Sequence, residues 1–131
     1  MKPITTEWVG KAEADFATAQ REGIAPEEPN YDAACFHAQQ CAEKYMKAQM
    51  VEFGMRPPRT HDLSLLANLI GPSDPAWAEL RLDLDWLTTL AVEIRYPGAS
   101  SAAEDAARAL SIAAQIRAKA RLDLGLAAGT R

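Results

Sequence analysis

The sequence predicts an all-α protein, folded as a five-helix up-and-down antiparallel bundle. Alanine and leucine are frequent, no stretch alternates apolar and polar residues as a half-buried strand would, and apolar residues recur every three or four positions between turn formers. Mostly short connections between helices of two to five turns make successive helices antiparallel neighbours. At 131 residues, with 48% hydrophobic and 24% charged, the chain is long enough for a core without disulfide or metal. Residues 1–125 are assigned to a single helical domain and 126–131 to a flexible tail.

The first helix runs from about Thr6 to Glu22. It carries Trp8, Ala12, Phe16 and Ala19 on one stripe and stops at Gly23, ahead of the Pro-rich loop "GIAPEEPN". The second begins after Asn30 as N-cap and reaches Phe53, with Gly54 just past its end. Thr60 is placed to cap a short third helix, "HDLSLLANLI", which "GP" halts. Asp74 followed by Pro75 opens the fourth, since proline suits the first helical position. Its stripe is Trp77, Leu80, Leu84, Leu87, Ala91 and Ile94, and Pro97 ends it. Ser101 with Glu104 forms a capping box for the fifth, whose buried face is Ala106, Leu110, Ala113, Ile116 and Ala120.

The net charge of -4 argues against a general nucleic-acid surface, although the last helix is mildly basic. Cys35 and Cys41 lie six apart in one helix and point about 120° away from each other, so they cannot pair in place. Unpaired thiols, no apolar run of membrane length and no signal-like apolar N-terminus lead to the expectation of a cytoplasmic protein away from membranes.

The second helix holds the densest polar chemistry, in "HAQQCAEKYMKA". On a wheel at 100° per residue, Ala34, Cys35, Ala38, Cys41, Ala42, Tyr45, Met46, Ala48 and Phe53 fill one half. His37, Gln39, Gln40, Glu43, Lys44 and Lys47 fill the other. The plain reading is a solvated face with a Glu43–Lys47 pair contributing a few tenths of a kcal/mol. Against it, Phe36 and Met50 share the polar half, as if that face met a second subunit. His37, Gln40, Lys44 and Lys47 also fall within about 80°, a strip of donors suited to an anionic or amide-bearing ligand.

Two further groups stand out. In "RPPRTHDL", Arg56, Arg59 and His61 gather at the entrance of the third helix, where free N–H groups and the helix dipole favour an anion. The alternative is an ordinary capped loop. In "EIRYPG", Arg95 and Tyr96 end the fourth helix; the guanidinium either binds the last carbonyls of its own helix or serves a phosphate. Phosphate-binding glycine loops, HExxH and CxxC pairs are absent, and no Glu-x-x-His pair supplies a di-metal site. No cofactor is implied, and both cysteines fall on the apolar half as buried thiols rather than nucleophiles.

Taken in order, "FHAQQCAEKYMKAQM", "RPPRTHDLSLL" and "RYP" resemble the HEPN family, from about Trp8 to the fifth helix. The resemblance implies a five-helix bundle that dimerises, often encoded beside a minimal nucleotidyltransferase and acting with it as a pair. Many members are ribonuclease toxins of toxin-antitoxin systems and carry an Arg followed four to six residues later by a His. Here "YPGASSA" follows Arg95, so that signature is missing where the family would put it. Arg56 and His61 have the spacing but straddle two prolines.

The resulting expectation is a non-catalytic homodimeric subunit that binds a nucleotide or another phosphate-bearing ligand and docks a minimal nucleotidyltransferase. Arg95, Lys44 and His61 would meet phosphates, Gln40 would orient the ligand, and Tyr96 would stack on a base. His37, Lys47 and Arg59 complete the candidate set. The alternatives are a ribonuclease toxin with an atypical His/Arg site, for which RNA is the partner, and a purely structural dimerisation module.

Overall fold

A computed structural model describes residues 1–91 and 97–128. Among the described residues five α-helices and one 3₁₀ turn follow in order: α1 Pro3–Ile24, α2 Tyr31–Glu52, α3 Leu63–Ile70, the 3₁₀ turn Pro75–Leu80, α4 Arg81–Thr89 and α5 Ala103–Asp123. No strand occurs among the described residues. The all-helical expectation is met, and α2 forms the centre, packed by α1, α5 and α3.

Small residues bring the helices close around that centre. Ala12 and Ala19 of α1, Ala34, Ala38 and Ala42 of α2, and Ala109, Ala113 and Ala120 of α5 are fully buried. Around them the larger side chains Tyr45, Met46, Met50, Leu63, Leu66, Ile70, Trp77, Leu84, Leu87 and Ile116 fill the core. Cys35 and Cys41 lie in this core as free thiols, and burial pushes both thiols up from their ordinary range.

The chain direction follows from which residues meet. Lys2 reaches Val51 and Glu52, while Asp15 meets His37, so α1 and α2 are antiparallel. Ser64 pairs with Asp85 and Asn68 with Arg81, which sets α3 antiparallel to α4. Between α2 and α3 the chain doubles back. His61 sits beside Gln39 and Glu43, and Asp74, beyond the end of α3, reaches Gln49, so α3 runs alongside α2 in the same direction. This reversal through residues 53–62 brings the loop before α3 onto the middle of α2.

Local signals account for most helix ends. Asn30 accepts from the Ala33 N–H at 2.9 Å, as an N-cap should. At the other end of α2, Gly54 has φ 82°, its N–H donates to Val51 and the Met55 N–H donates to Met50 at 2.8 Å. That is a Schellman closure, and the left-handed backbone it needs is why a glycine stands there. Gly125 closes α5 in the same way, with the Leu126 N–H donating to Arg121. Leu126 then packs on the core and Ala127 accepts from Arg121 Nε at 2.7 Å.

Three starts differ from the sequence reading: a local contact occupies Thr60, and distant partners engage Asp74 and Ser101. Asp62, not Thr60, caps α3 by accepting from the Leu65 N–H at 3.1 Å, while Thr60 Oγ1 accepts from the Asp62 N–H. The Leu63 N–H donates to Thr88 Oγ1, tying the start of α3 to α4. Asp74 makes no cap because its carboxylate takes Lys119 at 2.7 Å and Gln49 at 3.1 Å; the segment after it is a 3₁₀ turn, and α4 starts only at Arg81. The Ser101 N–H is drawn to Asp32 at 2.6 Å, so α5 begins at Ala103, and Asp105 rather than Glu104 accepts from the Ala102 N–H. The end of the expected fourth helix, with Ile94, lies outside the described residues.

Candidate functional site

The polar half of α2 is not a solvated face, which corrects the plain reading of the wheel. Gln39, Glu43 and Lys47 are buried, and Met50 of the same half is buried with them. The chain covers them itself, with Trp8 and Asp15 of α1 on one side and the loop before α3 on the other. Between these two covers His37, Gln40 and Lys44 remain partly accessible.

Two carboxylates organise the strip in the same way. Asp15, on α1, accepts His37 Nδ1 at 2.8 Å through one oxygen and Lys44 Nζ at 2.5 Å through the other. Glu43, on α2, accepts His61 Nδ1 at 2.7 Å and Lys47 Nζ at 2.9 Å on its two oxygens. Both carboxylates are nearly inaccessible, at 11% and 6% side-chain exposure, whereas the rings they hold are 32% and 52% exposed. A carboxylate at Nδ1 takes the ring's N–H there in the neutral form, and so leaves Nε2 as the atom that faces a ligand.

Glutamines fix the remaining freedom. Gln40 donates to Gln39 Oε1 at 2.6 Å, and Gln39 donates in turn to the carbonyl of His61 at 3.1 Å. His61 is therefore held at its main chain and at its ring, and the paired glutamines of "HAQQ" have a structural purpose. Phe36 stands edge-on to the His37 ring at 5.4 Å, and Lys47 lies 5.8 Å from the Trp8 ring. An ammonium over an indole face adds attraction in this desolvated position.

Of the predicted residues, the structure brings together His37, Gln40, Lys44, Lys47 and His61 along one strip. Lys47 enters it as a buried ion-pair partner at 8% side-chain exposure. Arg59 is exposed in the loop two residues before His61 and makes no ion pair among the described residues. Arg95 and Tyr96 lie outside the described residues. Sequence reasoning missed Asp15 and the role of Glu43. The available signal was an acidic residue in the heptad-spaced series Trp8, Ala12, Asp15, Ala19, where a core helix would place an apolar one.

A second polar network lies around α2 from this strip and reads as structural. Arg117 of α5 forms a bidentate pair with Glu13 at 2.6 and 2.8 Å, and the Tyr45 hydroxyl donates to the same carboxylate. The Arg117 hydrogen bonds hold the Glu13 carboxyl below its ordinary range against the opposing effect of burial. Because its folded value is depressed, Glu13 stabilises the fold above the ordinary carboxylate range, and that contribution is lost as pH falls through the folded value. A hollow of about 710 Å³ between α1 and α5 is bounded mainly by apolar side chains such as Phe16, Ile24 and Leu110, with Gln20, Arg21 and Ser111 also lining it, and it shares no lining residue with the strip.

Among the described residues no three His, Cys, Asp or Glu side chains gather as a metal ion would need, and no helix is long and apolar enough to cross a membrane. Comparison with curated proteins and with solved structures returns no match. The model of the HEPN domain matches residues 5–122, from the first turns of α1 to the last turn of α5. That match takes in every element carrying the strip, and the chain belongs to the HEPN family.

Proposed function

We propose that this HEPN protein is a non-catalytic, homodimeric subunit that binds a nucleotide or another phosphate-bearing ligand on the α2 strip. On this reading it acts beside a minimal nucleotidyltransferase, in the manner of a toxin-antitoxin pair. The observation that carries the proposal is the pair of half-exposed imidazoles, His37 and His61, each fixed at Nδ1 by a buried carboxylate. Gln40 and Lys44 lie between them on the same helix, and the exposed Arg59 precedes His61 by two residues in the chain. Arg95 and Tyr96 are proposed as the further phosphate and base contacts.

Thermal and chemical unfolding with ATP, GTP and UTP tests this reading. A ligand at 100 times its dissociation constant is expected to add about 2.7 kcal/mol of stability, and His61→Ala should remove most of that gain. Absence of any stabilisation by the three nucleotides would leave the structural-module reading in its place.

One observation keeps a ribonuclease in view as the second reading. His61 is carboxylate-backed, half exposed and five residues after the exposed Arg56, the arrangement a general base or acid needs. The same His61→Ala protein decides the matter when incubated with total RNA beside the parent. Cleavage by the parent that the variant loses would favour the enzyme; RNA left intact by both favours the binding subunit.

A further inference from the structure

The charges of the strip cancel in pairs. Lys44 is neutralised by Asp15 and Lys47 by Glu43, with Nζ to oxygen distances of 2.5 and 2.9 Å. With both imidazoles neutral, the two ammonium groups balance the two carboxylates, and the exposed guanidinium of Arg59 in the returning loop is left as a cation to meet a phosphate. The phosphate also meets the Nε2 lone pairs, which accept hydrogen bonds and repel phosphate oxygens. The lysines are thus committed to holding the carboxylates, and Lys47 is too buried to reach a ligand.

We infer that anion binding on this strip is coupled to proton uptake by His37 and His61, so that imidazolium rather than lysine supplies the charge a phosphate meets. The inference rests on the reading above that the strip is a ligand site. It follows from a construction shared by the chain's two histidines: each ring gives Nδ1 to a buried carboxylate whose other oxygen is held by a lysine four or more residues away. Adding a proton at Nε2 leaves the Nδ1 bond in place, converts a repelling lone pair into a charged donor, and adds one positive charge at each ring. The charged groups facing His37 are Asp15 of α1 and Lys44 of α2. Those facing His61 are Glu43 and Lys47 of α2, with Asp62 and Arg59 close to it in the chain.

Titration calorimetry of ATP into the intact protein, at steps between about pH 5.5 and 8 where imidazoles ordinarily change charge, tests the coupling. Repeating each step in buffers of different ionisation enthalpy gives the protons taken up. The parent is expected to take up protons beyond those bound by ATP alone, and its affinity to fall as pH rises. His37→Asn and His61→Asn keep an amide N–H for the carboxylate, and each should flatten the fall by up to tenfold per pH unit. The titration of ATP's own phosphate is common to all three proteins and cancels in the comparison. Equal pH dependence in parent and variants, with no excess proton uptake by the parent, would overturn the coupling while leaving the ligand site standing. No binding at any pH would remove both. If a variant fails to fold, the excess proton uptake of the parent alone decides the question.

Discussion

Replacing Glu43 with leucine is expected to cost about 3–5 kcal/mol of stability, because it leaves the Lys47 ammonium buried without its counter-charge. Both side chains of this pair are less than 10% exposed, and beyond Glu43 the Lys47 ammonium meets the Trp8 ring at 5.8 Å. An exposed (i, i+4) pair of the same residues would contribute only a few tenths of a kcal/mol. The two pictures therefore differ by roughly tenfold in the size of the effect. Urea denaturation should show a lower midpoint with an unchanged slope. Converting both partners, Glu43→Leu with Lys47→Met, should restore most of the loss, since two apolar groups of similar volume need no ion pair. A single-substitution loss below about 1 kcal/mol would mean the pair is solvated after all.

Trp77→Ala should cost a similar amount, about 3–5 kcal/mol, for a different reason. The Trp77 side chain is fully buried in the 3₁₀ turn, and its removal opens a large cavity beneath the Lys119 ammonium, which lies 4.9 Å from the ring. Its Nε1 has no hydrogen-bond partner among the described residues, so part of the ring's packing gain is already offset by a desolvated donor. Trp77→Phe, which removes that donor and keeps most of the apolar volume, is therefore expected to lose much less than the alanine variant. Equal losses from the two substitutions would show that the indole N–H is satisfied and that ring volume is not what matters.

The fold was legible where local chemistry decides it. Asn30, Gly54 and the three-and-four spacing of apolar residues in α1 and α5 act within their own helices, and the structure follows them. Asp74 and Ser101 were misread because each is equally able to cap and to be claimed from elsewhere, and Thr60 because its hydroxyl takes the Asp62 N–H and leaves Asp62 as the cap. Lys119 and Asp32 settle the contests over Asp74 and Ser101 across the bundle, at sequence distances no local pattern records. The same limit applied to the strip. A helical wheel sorts residues by polarity, and it correctly grouped His37, Gln40, Lys44 and Lys47. What covers a face is a tertiary fact: the burial of Lys47 and Glu43 depends on Trp8, on Asp15's helix and on the return of residues 53–62. Arg59 had the residue type of a site member, but the fold leaves it exposed in that returning loop.

The central claim is that the two carboxylate-held imidazoles of the α2 strip meet a phosphate-bearing ligand. NMR spectra of the two histidine rings, recorded while ATP is added to the intact protein, test it most directly. The account predicts that the ring signals of both His37 and His61 move together and saturate with one dissociation constant, while signals of exposed Leu122 on α5 stay in place. Ring signals that remain still while the residues of the α1–α5 hollow shift, or while nothing shifts, would contradict it.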